Sequence, residues 1–556
     1  MVLISIPVTT AIIILSLGRK IGIRGTKLIT IINIIILNVA YVITKNKEQT
    51  CGNWINIGTI EEISKIRINN TMTSLIIIIS SCVIIYSYNY LNKEPHIIRY
   101  IGYLEIFIGG MLLLVNSRSI ITIYIGWEII GITSMKLINY WNSNRNSNKS
   151  SIKALLYNKI GDIGLLISIL IIYNKYTNTN NTIEIGSRIL TISIITAIIG
   201  KSAQLIFIPW LGDAMAAPTP VSALLHAATM VTAGIYLYTY LQPIIDVNNI
   251  PILYEYIGIG TIIITGISAL TTNDIKRIIA YSTASQLGYM LIGNIIRIPE
   301  LSRYHLYTHG YYKALIFITA GIIIHNSWLG EQDIRRYGQI RSNRNTIIIG
   351  IISLMAYPYL SGWYSKEQII ISTAYNKNTL YYGLIIGNIL TCLYTYRLYK
   401  MTYNSYTNNR PIPTTGKNKG ILTILMTGSI IVGYMIREIY TNKEILIYDN
   451  INRNNSTIYE NLIIIIPIIT ITIYRIGITK KIIQIYNRRV YIDQLINNMT
   501  DWVIKKGYQT TKEIEQGIIE NTIINMIRTI YINPTKNTIR TYQIIYMVTI
   551  IIIITM

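Results

Sequence analysis

The sequence predicts an all-α polytopic membrane protein with about 16 transmembrane helices. Only 13% of its 556 residues are charged and 51% are hydrophobic, where a soluble chain carries about 25% charged residues. Apolar runs such as Leu75 to Ile79, Ile192 to Ile199 and Leu462 to Ile471 recur along the chain, too many for one globular core. Many of them lie in stretches that approach the ~20 residues a helix needs to cross a ~30 Å hydrocarbon layer. A soluble enzyme, a disordered chain and a disulfide scaffold are excluded. The mean hydropathy of +0.41 agrees.

The elements follow in chain order. Met1 to Lys20 has the length of a signal peptide but lacks a basic n-region and a small-x-small cleavage site, so it reads as a first retained span. Further spans centre near Ile34, Ile79, Ile106, Glu128, Leu165, Ile195, Thr229, Ile263, Met290, Leu315, Ser353, Ile385, Thr427, Ile465 and Ile550. The polar interruption from Lys45 to Asn70 alternates around Ile55 and Ile57, which suits an extended hairpin on the membrane surface. Two spans are interrupted, the seventh where it runs into Phe207 to Trp210 with Pro209, the twelfth at Tyr357 to Gly362 with Pro358. Proline removes a backbone donor and clashes with the preceding turn. In lipid such breaks survive only where protein or a water-filled cavity re-satisfies the backbone. A matching break in each half of a chain points to inverted repeats, as in transporters.

The tail differs. From Tyr486 to Tyr531 charged and apolar residues mix, with Ile492, Leu495, Ile496, Met499, Trp502 and Val503 on one helical stripe and Ile514, Ile518 and Ile519 continuing it. Pro534 ends this segment, and Thr541 to Met556 reads as a short final anchor. A helix of that length extends roughly 70 Å and is too polar to cross the bilayer. It is expected to lie along the membrane surface.

The net charge of +24 comes from 49 Lys and Arg against 25 Asp and Glu. The basic residues sit mostly in short loops, as with Arg335, Arg336, Arg341 and Arg344, where they fix orientation or meet anionic lipid head groups such as those of cardiolipin. No basic, aromatic-laced soluble domain exists to bind nucleic acid. Cys51, Cys82 and Cys392 share no CxxC spacing and offer neither a disulfide framework nor a zinc or iron–sulfur site. The 45 Tyr against 3 Phe read as a compositional bias that places Tyr where membrane helices usually take Phe.

A charge at the bilayer centre costs about 2.5–3.5 kcal/mol, so ionisable residues inside spans are functional candidates by default. They are Glu128, Asp162, Lys201, His226, His305, His309, Lys313, Lys366 and Glu367. Glu105 also falls in a span, but near its end and without an evident partner, and is expected to be interfacial. His305, His309 and Lys313 are spaced i, i+4, i+8 and share one helix face over ~12 Å. Buried lysine and histidine titrate near neutrality, so such a column suits proton transfer. A metal pair or satisfied structural polarity are the other readings. His-x3-His lacks a third ligand, and no Glu follows His305 as in a zincin.

At these residues the sequence resembles a known family. Gly200 to Gly234 is similar to the antiporter-like membrane subunits of respiratory complex I, and most of all to the chain 5 family of NADH–ubiquinone oxidoreductase. Asp274 to Tyr289, His309 to Leu315 and Gly362 to Glu367 agree, and the match is dense from about Ile120 to Ile370. The amphipathic tail with its terminal span resembles the lateral helix of that chain, which the other antiporter-like subunits lack.

The resemblance implies an antiporter-like core of two inverted repeats, each with a broken helix. The implied divisions are N-terminal helices with a surface hairpin (1–115), the proton-translocation core (116–400), C-terminal helices (401–480), the lateral helix (481–535) and the anchor (536–556). It implies that Glu128 and Lys201 pair in a first half-channel and that Asp162 is a second acid facing a neighbouring antiporter-like subunit. His226, His305, His309 and Lys313 would form the central polar axis, and Lys366 with Glu367 the terminal site. It further implies no cofactor in this chain, with NADH, flavin, iron–sulfur clusters and ubiquinone bound by other subunits. The expected partners are other membrane-arm subunits, with neighbours along the lateral helix. The Ile, Asn and Tyr usage favours a mitochondrial chain, hence the mitochondrial inner membrane. A stand-alone cation/proton antiporter shares the same core and is the alternative. One departure is Lys136, where the family is expected to carry a neutral residue; it either snorkels to the interface or pairs with Glu128.

Overall fold

The computed structural model describes residues 2–44, 48–51, 64–67, 70–117, 119–177, 185–246, 253–327, 330–337, 344–376, 378–403, 418–441 and 465–467, then 498, 501–502, 505–513 and 517. The chain divides into two units, Met1–Asn487 and Arg488–Met556.

The described residues of the first unit are almost entirely helical. α1 (Val2–Thr44) carries the first two expected spans with an elbow at Gly22, whose φ of 76° ends one helix and starts the next. Two short strands, β1 (Glu48–Cys51) and β2 (Ser64–Arg67), pair antiparallel with Glu48 opposite Arg67, so the polar interruption does fold back as a hairpin. Ile55 and Ile57 lie outside the described residues. The next helices are α2 (Asn70–Tyr90), α3 (Ile97–Asn116), α4 (Ile120–Ile138), α5 (Arg145–Thr177) and α6 (Ile185–Lys201). Then come α7 (Ile208–Asp213), α8 (Thr219–Ala227), α9 (Met230–Asp246), α10 (Leu253–Thr271), α11 (Ile275–Ile295) and α12 (Pro299–Asn326). The unit continues with α13 (Arg344–Leu354), α14 (Ser361–Asn376), α15 (Asn378–Tyr403) and α16 (Lys419–Thr441). Among the described residues, nine helical stretches are long and apolar enough to cross a membrane.

Both expected interruptions are present, the first displaced from its proline and the second enclosing it. The first opens immediately after Lys201, with Ala203 at φ 50° and Leu205 at φ 29°. Pro209 sits in the first turn of α7, where its missing N–H is no loss and its fixed φ suits a helix start. The second lies between α13 and α14, with Ala356 at φ 61° and Tyr359 at φ 66° on either side of Pro358. A third break separates α8 from α9, and Thr229, expected at the centre of an unbroken span, lies in it. The Thr229 hydroxyl donates to the Leu224 carbonyl at 2.6 Å, so its side chain takes an acceptor that a continuing helix would use. Residues 219–238 are all buried inside the protein, which is what lets such backbone persist in a membrane.

Packing grades outward from α8 and α9. α1 exposes Ile12, Leu28, Ile35 and Val42, the apolar exterior that lipid requires. A core of Ile262, Tyr289, Ile292, Leu301, Ile369 and Leu384 joins α10, α11, α12, α14 and α15. The tyrosine-rich composition has a structural use here. Hydroxyls of Tyr236, Tyr289 and Tyr304 donate to main-chain carbonyls of Val115, Leu384 and Gly433 at 2.7, 2.8 and 2.6 Å, bonds that phenylalanine does not make.

In the second unit residues 505–510 are helical, with Tyr508 exposed. The surface helix expected over 481–535 and the anchor over 536–556 lie almost wholly outside the described residues.

Candidate functional site

Three helices bring the first cluster together. Lys201 ends α6 at the break and is fully buried. Its ammonium lies 3.6 Å from Asp162 Oδ1 on α5, donates to the Trp127 carbonyl on α4 at 3.1 Å, and sits 5.0 Å from the centroid of the Trp127 ring. Trp127 Nε1 donates to the same Asp162 oxygen at 2.6 Å. A Cβ on Gly131 would stand 3.0 Å from Lys201 Nζ, so glycine one turn beyond Trp127 makes room for the ammonium.

The expected pairing of Lys201 with Glu128 is therefore corrected. Successive helix residues point ~100° apart, and α4 turns Trp127 toward α6 while Glu128 faces α5. There Glu128 accepts from Lys159 Nζ at 2.6 Å and from the Tyr124 hydroxyl at 2.9 Å. Lys159 also lies 3.7 Å from Asp162 Oδ2, so two lysines and two carboxylates form one cluster. Asp162, expected to face a neighbouring subunit, is buried and turned inward onto Lys201. Lys159 was missed in the sequence. Its signal is a lysine three residues before Asp162, in the same helix.

Lys136 does not reach Glu128. Its ammonium lies 5.2 Å from the centroid of the Tyr103 ring on α3, and the side chain is exposed. It borders a cavity of about 140 Å³ with Arg99, Tyr100 and Tyr140.

Past the break, Trp210 Nε1 donates to the Gly200 carbonyl at 3.3 Å. His226 on α8 stacks between Trp210 and Phe317, with ring centroids at 6.3 and 6.2 Å. It is fully buried, and neither ring nitrogen has a hydrogen-bond partner among the described residues. The next carbonyl, Ala227, is 3.1 Å from His309 Nδ1 on α12. The expected column is present, since His305, His309 and Lys313 are all fully buried and the two imidazole centroids are 6.3 Å apart. His305 lies between Ser365 Oγ at 2.8 Å and Gln286 Oε1 at 3.1 Å. Lys313 donates to Ser282 Oγ on α11 at 2.5 Å.

The column continues into α14 through Ser365, the residue before Lys366. Lys366 donates to Asn388 Oδ1 at 2.9 Å and Thr391 Oγ1 at 3.1 Å, both on α15, and lies 4.8 Å from the Tyr289 ring centroid. Glu367 is buried beside it. Polar groups from Lys201 to Lys366 thus run through the buried middle of the unit. Among the described residues no set of three His, Cys, Asp or Glu side chains is placed to hold a metal.

Outside the spans, Asp333 caps a 3-10 turn by accepting from the Arg335 amide at 3.0 Å and from its guanidinium at 2.6 Å. That guanidinium holds the Asp333 carboxyl below its ordinary value. The turn is pinned to the start of α11 by Ile275 N donating to Gln332 O at 3.0 Å and Ile334 N to Asn273 O at 2.8 Å.

Glu105, expected at an interface, is fully buried between α3 and α1, where Asn33 Nδ2 donates to its Oε2 at 2.8 Å. It stands near the middle of α3, not near the end of its span, and its polar partner comes from another helix.

The profile of the NADH:quinone oxidoreductase/Mrp antiporter transmembrane family matches residues 117–393. NADH-ubiquinone oxidoreductase chain 5 of Rhizopus stolonifer is 31% identical over 93% of this chain and 89% of its own length. The chain belongs to the NADH-ubiquinone oxidoreductase chain 5 family. The chain 5 of Metridium senile is 35% identical over 78% of each protein. A chain in the structure of the Mrp complex from Dietzia sp. DQ12-45-1b superposes with a TM-score of 0.75 at 18% identity, over 95% of this chain and 62% of that one. This chain therefore spans somewhat less than two thirds of that solved chain, and the likeness is one of fold. Glu128 through Lys366 and Glu367 lie inside the matched stretch; Glu105 of this chain 5 family member lies before it.

Proposed function

We propose that this chain is a proton-translocating membrane-arm subunit of NADH:ubiquinone oxidoreductase in the mitochondrial inner membrane. The observation that carries it is the Asp162–Lys201 pair, buried where α6 breaks off. Intramembrane ionisable residues in a bundle interior mark ion and proton pathways, and the chain 5 relatives bear the name of that oxidoreductase. Protons pass by way of Glu128, Asp162 and Lys201, then His226, His305, His309 and Lys313, to Lys366 and Glu367, with hydrogen-bonded water completing the gaps. Lys159 joins the entry cluster by its bonds to both acids.

The coupling is electrostatic. When a proton reaches Asp162 the attraction that holds Lys201 weakens, and the ammonium is released toward the break. Nicotinamide, flavin, iron–sulfur clusters and ubiquinone belong to other subunits, whose redox chemistry drives these charge shifts. The full chain comprises about 16 spans, with two inverted repeats that each contain a broken helix. The breaks after Lys201 and after Leu354 support that reading. The core occupies 116–400, between helices 1–115 and 401–480. The segment 481–535 is a lateral helix bracing neighbouring antiporter-like subunits, and 536–556 anchors it. Other membrane-arm subunits and phospholipids such as cardiolipin are its partners.

The fold likeness to a chain of an Mrp complex favours a second reading, a stand-alone cation/proton antiporter. Two measurements separate them. On a native gel the chain should co-migrate with an NADH-oxidising band of very high mass. In that assembled complex Lys201→Ala should reduce proton pumping while NADH oxidation by an artificial acceptor is unchanged. Migration as a small, NADH-inactive species supports the antiporter instead.

A further inference from the structure

Glu105 lies in a different place from the polar axis just described. α1 presents Thr26, Thr30 and Asn33 on one buried face, the i, i+4, i+7 spacing of a single helix stripe. Tyr88 of α2 comes against it, with Thr30 Oγ1 and the Tyr88 hydroxyl 3.3 Å apart. Glu105 of α3 completes the group, and each of the five side chains is at least nine-tenths buried. Tyr88 is the titratable group facing Glu105. Among the described residues no Lys, Arg or His forms an ion pair with Glu105.

The hydrogen-bond inventory is unbalanced in an informative way. Asn33 Nδ2 donates to Glu105 Oε2 at 2.8 Å. That leaves Glu105 Oε1 and Asn33 Oδ1, both buried, both without a partner, and both able only to accept if the carboxyl is ionised. Two orphaned acceptors on the same two side chains are costly, and an unpaired buried carboxylate is costlier still. A single proton removes all three penalties. Placed on Oε1 it turns that oxygen into a donor and gives Asn33 Oδ1 its missing bond, while Asn33 Nδ2 keeps its bond to Oε2. The result is a carboxylic acid facing a carboxamide through two reciprocal hydrogen bonds.

We infer that Glu105 and Asn33 form a proton-binding site separate from the translocation axis, in which the Glu105 carboxyl holds one proton and joins α3 to the second half of α1. The proton comes from water, forms the Oε1–H bond and leaves the side chain neutral. No other reactant is needed. The site lies outside the stretch matched by the family profile and does not depend on the proposed pumping role.

The test compares wild type, Glu105→Gln and Glu105→Leu in the full assembled protein in native membranes. Glutamine is a neutral isostere of the protonated acid and can make the same two bonds with Asn33. Glu105→Gln is therefore expected to assemble to within roughly twofold of wild type, and Glu105→Leu, which strands Asn33, to fall by roughly tenfold. In infrared difference spectra, wild type minus Glu105→Gln should show the carbonyl stretch of one protonated carboxyl group near neutral pH. Loss of a carboxylate band instead overturns the inference. So does a Glu105→Gln protein that fails to assemble, because a neutral isostere cannot replace a charge the fold requires. Pumping measured alongside keeps the two readings apart, since loss of the protonated-carboxyl signal with unaltered pumping bears on this site alone.

Discussion

Lys201 reaches Asp162 across α5 and α6 at 3.6 Å, while Glu128, one residue from the tryptophan that cradles Lys201, is bonded to Lys159 at 2.6 Å. The buried Lys201 thus pairs with Asp162, while the half-exposed Lys159 bonds Glu128 and also reaches Asp162 at 3.7 Å. This division has measurable consequences.

Asp162 and Lys201 should be strongly coupled. Removing one partner of a buried pair typically costs about 3–5 kcal/mol, so Asp162→Asn and Lys201→Met each should reduce assembled protein. The double variant should be less damaging than their sum. The matching cycle for Glu128 and Lys159 should give about 0–1 kcal/mol, because Lys159 is half-exposed. Equal coupling in the two cycles would refute the assignment of partners.

Gly131→Ala tests the space around the ammonium. The added methyl stands 3.0 Å from Lys201 Nζ, at the tip of a flexible side chain that can retreat. Assembly should stay near wild type, while proton transfer slows by roughly tenfold, equivalent to about 1.4 kcal/mol of lost positioning. Unchanged pumping would mean that the position of Nζ beside Trp127 does not matter.

Asn388→Leu should weaken the terminal site without removing its lysine. Lys366 would keep Thr391 and the Tyr289 ring but lose its 2.9 Å acceptor. A bond between a charged donor and its acceptor contributes about 1.5–3 kcal/mol. Pumping should fall by at least tenfold, and Asn388→Gln or Asn388→Asp should restore part of it. A leucine variant that pumps normally would show that Lys366 needs no partner on α15.

The Asp333 turn should be acid-sensitive. Its carboxyl is held below the ordinary aspartate value of 3.8 by Arg335, so the stabilisation is full above that value and is lost as pH falls through the lower folded-state value. Hydrogen-exchange protection of the Ile334 and Arg335 amides, corrected for intrinsic rate, should drop between about pH 4 and pH 2. Asp333→Asn should lower protection at neutral pH and flatten the dependence. Protection that is constant with pH in the wild type would rule this out.

Much of the fold is legible in the sequence because lipid demands apolar runs of a set length, and those runs are visible without any neighbour. Both breaks were legible; the second lies at Pro358 as expected, and the first opens several residues before Pro209. Proline marks where a helix can restart, as Pro209 does, whereas the break itself is set by Ala203, Leu205 and the packing around them. The break at Thr229 left no proline or glycine to read. In the site, most ionisable residues stand out against an apolar background and were found, Lys159 excepted. Their partners were not, since spacing along one helix does not say which other helix it faces. The resemblance pairs Lys201 with Glu128, and the ~100° step between Trp127 and Glu128 keeps them apart. Neutral partners such as Ser282, Gln286, Asn388 and Thr391 are hidden for the same reason, among many hydroxyls and amides that bond only within their own helix.

The tyrosine hydroxyls that reach Val115, Leu384 and Gly433 bear on how such a chain can diverge. Each acceptor is a main-chain oxygen, which every residue type supplies. The side chains at 115 and 384 are therefore held by local packing alone, while position 433 is confined to glycine because a Cβ there would run into Ser361 Cα, and the three tyrosines are the fixed ends of the contacts. Cross-ties of this kind preserve helix order with few specified positions, so a bundle can keep its architecture after most of its residues have been exchanged.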